Sequence, residues 1–377
     1  MNIMNEIEND AAIASLHVGV VYWQPEDGIG SAIFDSVCAW GCETVHFLHN
    51  ETIPDGLDVI LVYGPFNSLT PLSQQLLAYP PDSRPALILW MSEQLSNPSI
   101  PDWLLRPSGQ LRSWAERQSY QLSDAGVWQP NPRWQKLTCK AHRLRYYGDL
   151  HWLKQQGLLT VLGIGSQWIT QYLQQRGLNP VTAYFGSFPE WWGDLNLERD
   201  IPVLWLGKTG SDRRKTFLSQ LQDDLQARGV EMTVVDGVSH PYVFGKERTV
   251  LLNRSRIVVN ILRTPWDNHS IRFFLSSSNK ALIISEPTLP HTPFMPGEHF
   301  VETPIERMAE TIYYHLNHPE AGAPLVERSF QLATQELTMF RSVGSLLQQA
   351  VQQRNRAFSS KYSTRIPRIM RKRAAHA

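Results

Sequence analysis

The chain has 377 residues, 42% hydrophobic and 19% charged, with 35 Lys and Arg against 35 Asp and Glu. That length suits about two domains that bury their own cores, and zero net charge excludes a global field that would draw nucleic acid. Cys38, Cys42 and Cys139 make neither a disulfide framework nor a zinc spacing; residues 1–14 are too polar for a signal peptide, and no apolar run reaches the ~18 residues of a spanning helix, so a cytoplasmic protein is expected.

In chain order, residues 17–23 (HVGVVYW) form a bounded apolar run, the pattern of a buried strand. Residues 28–40 carry apolar positions at helical spacing and stop at Gly41, a natural cap. Strands follow at 44–48, 57–63 and 85–91, with a helix at 71–78. This alternation builds a parallel sheet covered on both faces. Residues 98–132 are rich in Pro, Trp and Ser and hold Trp103, Trp114 and Trp128, so the stretch is expected to be packed rather than disordered. A helix at 137–155, a strand at 159–164 and a helix at 167–176, stopped by Gly177, come next. Residues 187–200 (SFPEWWGDLNLERD) read as an interdomain linker with exposed tryptophans, Trp191 and Trp192.

The second half repeats the rhythm. Strands are predicted at 202–206, 231–235, 256–261 and 281–285, with helices at 213–228, 245–255, 268–278 and 305–316. One long helix is predicted from about 324 to 358. The expected fold class is α/β, with two tandem Rossmann-like domains facing an interdomain cleft. The first spans 1–186, the linker 187–200 and the second domain 201–325; a C-terminal helix, 326–358, crosses back to the first domain. The tail, 359–377, is expected to be disordered. No acid follows Glu336, while Arg341, Arg354, Arg356, Lys361, Arg365 and Arg368 do, with Arg371, Lys372 and Arg373 beyond them. That end reads first as a solvated tail, and second as a weak contact with an anionic membrane surface.

Ligands of open parallel sheets sit at the carboxyl ends of the strands. Three loops of the second half fall there. In LGKTGSDRRK, Gly207 and Gly210 let the backbone approach a ligand. Lys208, Arg213 and Arg214 add cations there, and Thr209 and Ser211 hydroxyls, a set suited to a diphosphate. In TPWDNHSIR, Asp267, Asn268 and Ser270 are competent N-caps, with His269 and Arg272 within reach of the same anion. In SEPTL, Glu286 either accepts sugar hydroxyls or pairs with an arginine. In the first half, Asp27, Gly28 and Gly30 follow strand one, and Glu26 and Glu93 also lie at strand ends, where a general base would sit. Solvated loop acids are the plainer reading.

The pieces VLWLGKTGSDRRKTFL, FGKERTVLLNRSRIVVNIL, NHSIRFFLSSSNKALIISE and PFMPGEHFVE, then a helix ending YYHLNHPE, occur in that order. Over 203–320 the string resembles the C-terminal domain of family-1-type glycosyltransferases, especially the CgeB-like group. The resemblance implies GT-B architecture, an acceptor domain first and a nucleotide-sugar domain second. The implied reaction is transfer of a hexose from a nucleotide sugar to a glycan or other hydroxyl acceptor, with no cofactor and no metal. It implies that Gly207, Lys208, Thr209, Arg213 and Arg272 lie near the diphosphate, and Asn268, His269 and Ser270 at the sugar-phosphate helix start. Glu286 falls near the sugar, and Lys208, Arg272 and Glu286 carry the chemistry. Arg272→Ala is expected to lower turnover without harming the fold. The family's ribose-binding glutamate aligns with Phe274, so a non-catalytic nucleotide- or glycan-binding relative is the alternative. A nucleotide-sugar epimerase of the non-hydrolysing type is a third.

Overall fold

The computed structural model describes residues 10–123, 127–131, 142–267, 271–290 and 293–365. Two compact units form: one from Met1–Met91, Ser108–Gly163 and Val343–Ala377, the other from Ser92–Pro107 and Ile164–Ser342.

In the first unit, β1 (His17–Tyr22) leads through α1 (Gly28–Ala39) to β2 (Glu43–Leu48). Then come β3 (Val59–Gly64), α2 (Thr70–Ala78) and β4 (Ala86–Met91). Strand β1 lies between β2 and β3, and β3 pairs with β4, all parallel. Every residue of β3 and β4 is buried, which is why both read as unbroken apolar runs.

Residues 98–132, opaque in sequence, contain α3 (Asp102–Gln118) and a hairpin of β5 (Tyr120–Leu122) and β6 (Trp128–Pro130). Within it Trp103 is 76% and Trp114 50% exposed. The helix carries Trp103, Leu104, Leu111 and Trp114 on its solvent side, while Leu105 is buried. After it come α4 (His142–Gln155), β7 (Leu159–Ile164), α5 (Gln167–Gln174) and β8 (Pro180–Thr182).

The second unit repeats the plan. Its strands β9 (Ile201–Leu206), β10 (Met232–Val235), β11 (Ser255–Asn260), β12 (Leu282–Ser285) and β13 (Val301–Glu302) stand in the order β10-β9-β11-β12-β13, all parallel. Between them run α6 (Asp212–Gln226), α7 (Gly245–Arg254) and α8 (Ile271–Ser277). Val203, Trp205, Val259 and Ile284 meet Leu218, Leu221 and Leu225 of α6 in the core. With β11 central, the carboxyl ends of β9, β11 and β12 share one edge.

The segment 187–200 packs against this unit. Trp191 is buried, and its carbonyl accepts from Asn279 Nδ2 at 2.8 Å. The Leu195 amide donates to Asn253 Oδ1 at 3.0 Å. A tryptophan pair beside Pro and Gly looked exposed only because its covering residues come from distant parts of the sequence.

The long C-terminal helix is two. After α9 (Met308–Asn317), α10 (Pro319–Gln331) passes into a π-turn (Leu332–Glu336), and α11 (Met339–Arg365) starts anew. The break lies at Leu337 and Thr338. The Ser187 amide takes the Leu337 carbonyl at 2.8 Å, and its own carbonyl accepts from Met339 at 2.7 Å. A passing strand thus uses the groups a continuous helix would keep. From Val343 onward the chain belongs to the first unit. There Arg354 Nη1 meets Asp58 Oδ1 at 2.9 Å.

Candidate functional site

Strand β9 ends at Leu206, and the chain turns at Gly207 with φ 129°, a region side chains avoid. The turn is fastened twice: the Gly207 amide donates to Val235 O at 2.9 Å, and Trp205 Nε1 donates to Gly207 O at 2.7 Å. Ser211 then caps α6, its hydroxyl accepting from the Arg214 amide at 3.3 Å. Lys208 is exposed between these fixed points and makes no ion pair among the described residues.

Three arginines gather at this edge. Arg272 donates from Nε to Leu206 O at 2.8 Å and from Nη1 to Asn260 Oδ1 at 2.6 Å. Arg214 donates from Nε to Ile261 O at 3.0 Å and from Nη1 to Lys208 O at 3.1 Å. Arg213 donates to Leu262 O at 2.7 Å and forks onto Glu286, Nη1 to Oε1 at 2.9 Å and Nη2 to Oε2 at 2.5 Å. Carbonyls at the ends of parallel strands need donors once the ladder stops, and guanidinium groups supply them here. Trp205 underlies two of them, 4.1 Å from Arg272 and 5.2 Å from Arg214.

Burial works against these charges. It pulls the Arg272 guanidinium down to about 9, with Arg214 beside it adding to the effect, and pulls Arg214 down to about 10. Both stay cationic at neutral pH. Arg213 moves the other way, raised by its hydrogen bonds to Glu286.

The predicted residues do not all stand alike. Gly207, Lys208, Thr209, Arg213, Arg272 and Glu286 come together at one sheet edge. Asn268, His269 and Ser270 lie outside the described residues. Of the two readings of Glu286, the structure holds the pair: Oε1 also accepts from the Leu262 amide at 2.5 Å, so both oxygens are engaged. Arg272 is buried and braced by two hydrogen bonds, so its removal is expected to touch the fold as well as the site. Glu93, expected on the first domain, packs with the second unit, 3.9 Å from Arg263, which in turn reaches Asp267 at 3.4 Å. Asp27 is the N-cap of α1. It accepts from the amides of Trp23 at 3.0 Å and Gly30 at 2.9 Å and from the Tyr63 hydroxyl, with Gly28 opening the helix. Burial and this partner raise the Tyr63 phenol far above its ordinary value.

Two residues escaped the sequence reading. Trp205 forms the floor of the edge. Asn260 accepts from Arg272 and donates to Ser285 Oγ at 2.9 Å, joining β11 to β12. A lone amide closing the apolar strand RIVVN was the available signal. Phe274 is sealed among Phe273, Ile283, Phe294 and Phe300, with its ring 5.3 Å from Phe294. Among the described residues no three His, Cys, Asp or Glu side chains converge as a metal site, and no helix is long and apolar enough to cross a membrane.

No protein-family model and no curated protein matches the chain. Solved structures do match. A sucrose-phosphate synthase from Thermosynechococcus elongatus superposes with a TM-score of 0.58 at 10% identity, over 92% of this chain and 100% of that one. Anabaena HepE, crystallised with UDP and glucose, gives 0.51 at 9% identity, over 92% and 100%. The pneumococcal O-GlcNAc transferase GtfA, in complex with UDP and GlcNAc, gives 0.51 at 8%, over 78% of this chain. The chain spans about half the length of TarM, 54%, and 57% of GtfA. What these likenesses share with the chain is the fold: two Rossmann-like domains of GT-B architecture.

Proposed function

We propose that the protein is a glycosyltransferase that moves a hexose from a nucleotide sugar to a hydroxyl acceptor, such as a glycan, in the cytoplasm and without a metal ion. The observation that carries this reading is the cationic, glycine-led edge of the second sheet, where Lys208 stands exposed beside the braced Arg272. Neighbours of the same fold hold UDP and sugars. In this reading the donor diphosphate lies across Gly207 and Thr209. Lys208 and Arg272 meet the negative charge that grows on the leaving group as the glycosidic bond breaks. The Arg213–Glu286 fork keeps the two loops in register, and Glu286 acts by holding Arg213. The basic tail adds a weak contact with anionic surfaces.

A second reading, a non-catalytic binder of nucleotides or glycans, draws on Phe274. An aromatic core residue stands where the resemblance places a ribose-binding acid. Product analysis separates the two. Incubation with UDP- and GDP-hexoses should release nucleoside diphosphate slowly without acceptor, and Lys208→Ala should suppress the release. Tight binding with no cleavage of any donor over days would overturn the transferase reading in favour of the binder.

A further inference from the structure

A fourth guanidinium stands at the second sheet's edge, and it is held differently from the other three. Arg263 lies in the turn that follows β11. Arg213, Arg214 and Arg272 each donate to backbone carbonyls at 2.7–3.1 Å. Among the described residues the Arg263 side chain takes no carbonyl. Its Nε lies 3.4 Å from Asp267 Oδ2, and its Nη1 lies 3.9 Å from Glu93 Oε2. Charge-assisted pairs close to about 2.7–2.9 Å, so both contacts are loose. The side chain is 35% exposed, where ion pairs hold little, while Arg214 and Arg272 are buried.

The groups around it are fixed. Asp267 is buried, its amide donates to Thr264 O at 3.0 Å, and its Oδ2 also accepts from the Arg263 amide at 3.3 Å. Gln94 Nε2 donates to Thr264 Oγ1, and Trp266 Nε1 donates to Leu95 O at 3.4 Å. These bonds tie the turn to the segment that carries Glu93. The backbone of Arg263 is therefore set, and its guanidinium is the part with room to move.

That guanidinium stands by the proposed diphosphate edge. Its charge bears on Arg272 and Arg214, and Asp267 counters it at the same two groups. Arg214 in turn donates to Lys208 O at 3.1 Å. A weakly paired cation thus waits beside the glycine turn. A phosphate offers a guanidinium two short parallel bonds, which neither carboxylate gives it here.

We propose that Arg263 is a phosphate latch: its guanidinium leaves Glu93 and closes on the diphosphate of a bound nucleotide, while Asp267 keeps its backbone in place. The latch rests on the reading of this edge as a nucleotide-sugar site, and adds to it a group that engages only when the ligand is present.

Calorimetric titration of the full chain with UDP and with inorganic pyrophosphate tests this. Arg263→Gln should bind both probes about tenfold more weakly. Its melting curve should stay close to that of the wild type, because the side chain is part-exposed and its pairs are long. Glu93→Gln removes the competing partner and should bind both probes about threefold more tightly. In the Arg263→Gln background, Glu93→Gln should change affinity little, since Glu93 acts through Arg263. Wild-type affinity in Arg263→Gln overturns the latch, as does a loss confined to UDP, which would place the group at the nucleoside. An equal gain from Glu93→Gln with and without Arg263 also overturns it, and leaves Glu93 as a simple repulsive charge. If Lys208→Ala weakens UDP binding and Arg263→Gln does not, the latch fails and the nucleotide site stands. If the wild type binds neither probe, the nucleotide site fails and the latch with it.

Discussion

Gly207→Ala tests the architecture of the sheet edge. An added Cβ meets two obstacles. At φ 129° an L side chain is strained, which costs about 1–3 kcal/mol. The methyl would also stand 2.9 Å from Arg272 Nη2, so the guanidinium must move. It is held by Leu206 O at 2.8 Å and Asn260 Oδ1 at 2.6 Å, and weakening one charge-assisted bond of this kind costs about 1.5–3 kcal/mol. The sum is roughly 2.5–6 kcal/mol, a large share of a domain's stability. The assay is a double-mutant cycle by urea unfolding, monitored through a transition of the second unit. Gly207→Ala in an Arg272→Ala background should keep only the backbone part, leaving a coupling of about 1.5–3 kcal/mol. Additive effects, or a single variant with wild-type stability, would refute the contact between this turn and this arginine.

Arg272→Ala alone should lower the unfolding midpoint as well as any turnover, because it strips donors from Leu206 O and Asn260; a loss of about 2–4 kcal/mol is expected in denaturation. Phe274→Glu, meant to restore the family's acid, should not restore function. It buries a carboxylate among Phe294 and Phe300, at a cost of several kcal/mol, about 3–5, visible as poor soluble yield; a stable, more active variant would contradict this placement. The Arg354–Asp58 contact predicts a pH dependence. Burial pushes the Asp58 carboxyl up, but the His17 amide and Arg354 outweigh it and hold it below its ordinary 3.8. Its stabilising contribution is therefore present above about pH 4 and lost as pH falls through the folded-state value. Asp58→Asn should be less stable than wild type at neutral pH and should converge with it in acid; a gap that persists in acid would refute the linkage.

The alternation of strands and helices was legible because fully buried parallel strands must be apolar throughout, as β3 and β4 are. The glycine turn was legible for a similar reason, since few residues suit that backbone, whereas Ser211, read as a ligand hydroxyl, turned out to cap α6. The break at Leu337 was not. Helical periodicity runs through it, and Ser187, which takes its hydrogen bonds, is far away in sequence. The orientation of α3 was hidden for a related reason. Its pattern is plainly amphipathic, and amphipathicity says which residues share a face, not which face meets solvent. At the site, the residue types pointed to one edge, but sequence could not decide how the arginines divide their bonds. Arg213 turns to Glu286, Arg214 and Arg272 turn to strand-end carbonyls, and Lys208 is left facing solvent.

The most direct measurement is a crystal structure with UDP bound, paired with calorimetric titration of UDP into wild-type and Lys208→Ala protein. The account predicts the diphosphate against Gly207, Lys208 and the start of α6, and an affinity about tenfold weaker in the variant, equivalent to about 1.4 kcal/mol. A nucleotide bound elsewhere, or equal affinity in the two proteins, would contradict it.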